Sequence, residues 1–103
     1  MGFDANALDE VIHGRARLGI VAFLSTAEEA DFTTLRDRLQ LTDGNLSTHL
    51  RKLEDAGYAR MKKRFVARKP QTTVMLTDAG RAAYLHYLEQ LQHLIQETSR
   101  PAT

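Results

Sequence analysis

The chain has 103 residues, no cysteine, and a formal net charge of +1. That length suits one domain with a modest core, expected here over about residues 8–97 of a single unit spanning 1–103, with frayed termini. The absence of cysteine excludes disulfides, thiolate metal sites and thiol redox chemistry, and it fits a reducing, cytoplasmic setting.

The acidic start, MGFDANALDE, is neither a signal peptide nor a transit peptide. No apolar run approaches the ~20 residues that span a membrane, so no membrane partner is expected. Leu8, Val11 and Ile12 have helical spacing and predict a short first helix, interrupted at His13-Gly14 because glycine is costly inside a helix. Residues 15–24, RARLGIVAFL, are apolar on nearly all sides after Arg17 and predict a central buried helix. Phe32 is expected in a very short strand, and Thr33 or Thr34 as the cap of the next helix, whose Leu35 and Leu39 face inward.

Thr42 or Asp43 can cap the helix that follows. Leu46, Leu50 and Leu53 form one stripe along it, and Gly57 can end it with a positive φ. Its other face carries Gly44, Asn45, Ser47, Thr48, Arg51 and Lys52. Two helices joined by Gln40-Leu41-Thr42, the second amphipathic and basic, predict a helix-turn-helix. Tyr58 to Phe65 reads as a strand with Tyr58 and Met61 inward, Arg68-Lys69-Pro70 as a turn, and Gln71 to Leu76 as the returning strand. Residues 60–69 hold six bases and no acid, more than edge-strand protection requires, which favours phosphate contact. The same bias runs more widely: residues 32–81 hold eleven bases and five acids, while residues 1–31 hold six acids and two bases. A polyanion would therefore dock on the middle of the chain.

Thr77 is the expected N-cap of a last helix running to about Glu97. Tyr84, Leu88, Leu91 and Ile95 follow 4–3–4 spacing, as in a coiled-coil seam, and Tyr87 and Leu94 widen the stripe. That face exceeds the need of one small core and predicts a homodimer interface of Tyr84, Tyr87, Leu88, Leu91 and Ile95, with Leu8, Val11 and Ile12 as companions.

The order helix, helix, helix-turn-helix, hairpin, long helix is a winged helix-turn-helix, mainly α with a small β-hairpin wing. The run Leu41-Thr42-Asp43-Gly44-Asn45-Leu46-Ser47, with His49-Leu50, Leu53-Glu54 and Ala56-Gly57-Tyr58, resembles the helix-turn-helix of the MarR-like winged-helix transcriptional regulators. Arg68-Lys69-Pro70 with Thr72, and Leu76-Thr77 with Gly80-Arg81, look like the wing and last-helix entry of that group. The resemblance covers about residues 8–95 and implies a dimeric, prokaryotic regulator of double-stranded DNA. It places Asn45, Ser47, Thr48, Arg51 and Lys52 on the helix that enters the major groove, where Asn can pair with adenine and Arg with guanine. Lys63, Arg64, Arg68 and Lys69 fall at the wing, to touch phosphate or the minor groove. His49, at the edge of the apolar stripe, reads as a packing or phosphate contact. Where the group has a proline after His13, this chain has Gly14.

Other functions fit less well. No glycine-rich phosphate loop and no nucleophile with a paired base argues for an enzyme, and no cofactor is expected. His86, Gln90, His93 and Glu97 align on one stripe of the last helix and suggest a metal-responsive regulator. His86 and His93 stand about 10.5 Å apart along the axis, however, which requires a partner chain to close one site. A protein-interaction adaptor with the same fold would have no use for the basic wing. No effector can be read from the sequence. A DNA-binding unit without an activation segment makes repression the simpler expectation.

Overall fold

The computed structural model describes residues 3–99. Four helices, α1 (Arg15–Thr26), α2 (Phe32–Leu39), α3 (Asp43–Asp55) and α4 (Asp78–Thr98), combine with three strands, β1 (Ala30–Asp31), β2 (Ala59–Val66) and β3 (Lys69–Leu76). The antiparallel sheet has the order β1-β3-β2. This is the expected winged helix-turn-helix, mainly α with a β-hairpin wing.

Burial follows the apolar stripes. Ile20, Val21 and Leu24 make α1 the central helix, and Leu46, Leu50 and Leu53 bury one side of α3 against it. Leu35, Val74, Leu76 and Tyr87 close the same core from α2, β3 and α4. Thr42 caps α3, its hydroxyl accepting from Asn45 N–H at 3.1 Å, and Gly57 follows the helix with φ +80°. Thr77 caps α4 in the same way, accepting from Gly80 N–H at 3.0 Å.

Four expectations fail locally. Residues 8–14 form no α-helix; a 3₁₀ turn spans Ala5–Ala7 and an irregular strap follows. Asp9 Oδ1 accepts from the N–H groups of Val11 and Ile12, a local bond that competes with a helix. Arg17 then ties the strap down by donating to the carbonyls of Val11 and Glu10. Phe32 opens α2 instead of lying in a strand, and Asp31 takes the capping role expected of Thr33 or Thr34, accepting from Thr34 N–H at 3.0 Å. Hydrogen bonding from Thr34, its side chain first and its backbone N–H second, holds the Asp31 carboxyl below its ordinary value. The hairpin turn falls at Ala67-Arg68, one residue before the expected start, so Lys69 and Pro70 already belong to β3.

Candidate nucleic-acid interface

Helix α3 presents its polar side outward because its leucines are spent on the core. Asn45, Ser47, Thr48, Arg51 and Lys52 are all exposed. At 100° per residue they fan over an arc of about 160°, a little under half the helix circumference. Ser47 and Arg51 lie on the flank toward the hairpin, where they share a cleft of about 300 Å³ with Phe32, Glu54, Met61, Lys63 and Thr72. Asn45 lies on the opposite flank, in a cleft of about 470 Å³ that also touches Arg15, Gln40 and His49. Thr48 stands between them, and its hydroxyl donates to Gly44 O at 2.9 Å, which leaves it an acceptor. Lys52 turns further toward the strap and lines a cleft with Glu10, Val11, Arg17 and Asp55. The five residues therefore share one helix but not one spot.

The start of α3 is fastened to α2. Arg36 donates to Asp37 Oδ1 and Asp43 Oδ1, each at 2.9 Å, which keeps its guanidinium protonated well above its ordinary value. Arg17 anchors the other side. Its Nη1 lies 3.2 Å from His49 Nδ1, so the guanidinium donates to a neutral imidazole. Burial holds His49 below its ordinary pKa, and the Arg17 and Lys52 charges add to that. His49 is thus a half-buried packing residue on the flank of α3.

The hairpin continues the basic surface. Its register pairs Met61 with Val74, Lys63 with Thr72 and Phe65 with Pro70. Side chains alternate along a strand, so Ala59, Met61, Lys63 and Phe65 share the face turned toward α3, and Arg60, Lys62, Arg64 and Val66 share the other. Lys63, Arg68 and Lys69 are exposed. Arg64 meets Glu29 at 3.3 Å across the outer face, a half-exposed pair of the kind that contributes little and yields readily to another anion. The two-residue loop has φ values of 52° and 67° at Ala67 and Arg68, the signature of a type I′ turn.

Residues 16–95 match the family of the winged helix DNA-binding domain. The chain belongs to that family, among the MarR-like transcriptional regulators. It is 34% identical over 85 residues to an uncharacterized protein of Methanocaldococcus jannaschii, covering 82% of this chain and 92% of the relative. It resembles the structure of a transcriptional regulator homologue from Pyrococcus horikoshii OT3, with a TM-score of 0.83 and 33% identity, over 89% of this chain and 91% of the other. A MarR-family regulator from Silicibacter pomeroyi superposes with a TM-score of 0.62 at 25% identity, over 86% of this chain and 62% of that one.

In this winged-helix chain two functional candidates escaped the sequence. Arg15 joins Asn45 and His49 only because α1 crosses α3, and no local spacing signals it. Phe65 is hidden in the sequence as an ordinary strand residue, yet it is 77% exposed. The surface expected between two copies is narrower than its spacing implied. Ile12 and Tyr87, at 0% and 1% exposure, are consumed by the chain's own core and have no area left for a partner. Burial raises the Tyr87 phenol, whose oxygen lies 2.7 Å from His13 Nδ1. Leu8, Val11, Tyr84 and Leu91 are half-buried against the core, whereas Leu88 and Ile95 are exposed at 39% and 55%. His86 and His93 are exposed on α4, and the His93 ring lies 5.9 Å from that of Phe3. Among the described residues no three His, Asp or Glu side chains gather as a metal site. No helix among them is long and apolar enough to cross a membrane.

Proposed function

We propose that this winged-helix protein is a sequence-specific regulator of double-stranded DNA that acts as a homodimer, with α3 in the major groove and the hairpin on phosphate or the minor groove. The observation that carries the reading is the shared cleft in which Ser47 and Arg51 of α3 meet Lys63 of the wing. A reading helix and a basic ribbon open to the same side, as contact with two adjacent grooves of one duplex requires. Asn45 and Arg51 are the base readers on their separate flanks, and Ser47 and Thr48 supply shorter contacts. Lys52 and Arg15 serve as phosphate anchors on the strap side, and Lys63, Arg64, Arg68 and Lys69 anchor the wing. Leu88 and Ile95, with Leu8, Val11, Tyr84 and Leu91 behind them, form the face between copies. Repression is the simplest output, since occupancy of a promoter needs no further surface. The protein acts where DNA is, in the cytoplasm of a prokaryote.

Arg51→Ala tests the assignment of base reading. If Arg51 bonds a guanine through two hydrogens, its loss costs about 1–3 kcal/mol on the preferred duplex and much less on random sequence. Equal losses on both duplexes would reduce Arg51 to a phosphate contact.

A further inference from the structure

Phe65 has no structural work to do. It stands at the end of β2, 77% exposed, and the core ends further down the same strand with Ala59 and Met61. Its cross-strand partner is the exposed Pro70. A phenyl ring left in water at a hairpin tip is unfavourable, and strand tips ordinarily carry polar residues. Val66 beside it is 48% exposed, so the tip is apolar on both faces.

Three further observations say what covers this tip. The ring shares a strand face with Lys63, and Lys63 lines the cleft with Ser47 and Arg51 of α3. Phe65 therefore extends the DNA-facing side of the protein by two residues, roughly 7 Å, beyond that cleft. The hairpin around it is strongly cationic: Lys63 shares the ring's face, Lys62, Arg64 and Lys69 lie on the other face, Arg68 sits in the turn, and Glu29 meets only the outer-face Arg64. Such a collar matches phosphates on both sides of a narrow groove. Finally, the tight two-residue turn holds the tip in one shape.

We propose that Phe65 is a wedge that enters the minor groove and partly unstacks one base step beside the segment read by α3, bending the duplex. Pro70, its cross-strand partner, lies beside it on the same face, and the cations of the hairpin hold the two phosphate strands. This inference rests on the DNA-binding reading above and goes beyond it: it assigns the wing a role in DNA deformation, and so a preference for flexible pyrimidine–purine steps at positions no side chain reads directly.

The test uses the full chain on a duplex selected by the wild-type protein, with 2-aminopurine placed at successive steps under the wing. Wild-type binding should raise the fluorescence at one step and bend the duplex by about 20° or more. Phe65→Ala should abolish both and weaken binding about ten-fold, a typical loss for one aromatic–base contact. It removes no charge, so its log–log salt slope should stay that of the wild type. Phe65→Leu, an apolar side chain that can also wedge, should restore most of the bend. Circular dichroism should show Phe65→Ala folded, as expected for so exposed a residue. If the wild type binds while Phe65→Ala keeps its affinity and bend, the wedge is wrong and the DNA-binding reading survives. A wild type that binds no duplex overturns both. If Phe65→Ala instead sediments as a smaller species than the wild type, Phe65 is a contact between copies and the wedge is overturned. Loss of binding only to vesicles containing phosphatidylglycerol, with DNA binding intact, overturns it in favour of a membrane surface.

Discussion

At the scale of single residues, one glycine sets the geometry of the domain. Gly80 lies in the first turn of α4, where a Cβ would stand 2.0 Å from the carbonyl oxygen of Tyr58. The same carbonyl accepts from Thr77 N–H at 3.0 Å, and the Thr77 hydroxyl donates to Gly57 O, so the end of the reading helix, the start of the hairpin and the start of α4 meet at one knot. Tyr58 extends the knot by donating to Asp9 Oδ2 at 2.5 Å, a bond that pushes its phenol up to about 12. Backbone cannot yield as a side-chain tip can. Gly80→Ala should therefore cost about 3 kcal/mol or more, at the high end for overpacking, as measured by urea unfolding. A change under about 0.5 kcal/mol, ordinary for a surface site, would mean that the close approach is not maintained in solution. The sequence displayed Gly80 within a pattern but gave no reason for it. The reason is a contact between residues far apart in the chain.

At the scale of elements, α3 was legible almost to the residue. Its cap, leucine stripe and terminating glycine are local signals that agree with one another, and the core only reinforces them. The strap was not. The spacing of Leu8, Val11 and Ile12 is helical, but Asp9, Arg17 and Tyr58 hold that segment in another shape, and two of those partners come from other elements. The hairpin turn was misplaced because Ala67 and Arg68 lack the Asn-Gly chemistry that marks a type I′ turn, and each carries a positive φ that L residues disfavour. The wing's basic character was plain in the sequence, while its orientation toward α3 required the register of β2 on β3. The wing also carries its own prediction. Replacing Lys63, Arg64, Arg68 and Lys69 with alanine should weaken binding to all duplexes alike and flatten the log–log salt dependence by roughly 3–4. The drop would be nearer 3 if Arg64 stays with Glu29 on the bound protein. A quadruple variant with unchanged affinity and slope would remove the wing from the interface.

At the scale of the whole molecule, the described chain is elongated, with extents of 65 × 25 × 21 Å and a radius of gyration of 16.0 Å. A compact domain of 100 residues has a radius of about 13 Å. Helix α4, about 31 Å long, contributes to that length and carries Leu85, Leu88 and Ile95 exposed along it. Exposed leucine and isoleucine on a projecting helix are the substance of the dimer proposal. Leu88→Glu with Ile95→Glu tests it cleanly, because neither side chain is part of the buried core. Sedimentation should give a monomer, circular dichroism a folded one, and operator affinity should fall sharply because each copy then binds its half-site alone. Leu91 is a poorer choice, since it packs partly against the core and its replacement would confound folding with assembly. A wild-type chain that already sediments as a monomer at tens of micromolar would end the dimer proposal without any mutation. The proposed dimer would set two copies of α3 on two half-sites of one duplex. Selection of bound duplexes from a random pool measures this directly. The expected result is an inverted repeat whose half-sites are centred about 10 base pairs, roughly 34 Å, apart. Enrichment of no motif, or of a single half-site without its inverted copy, would contradict it.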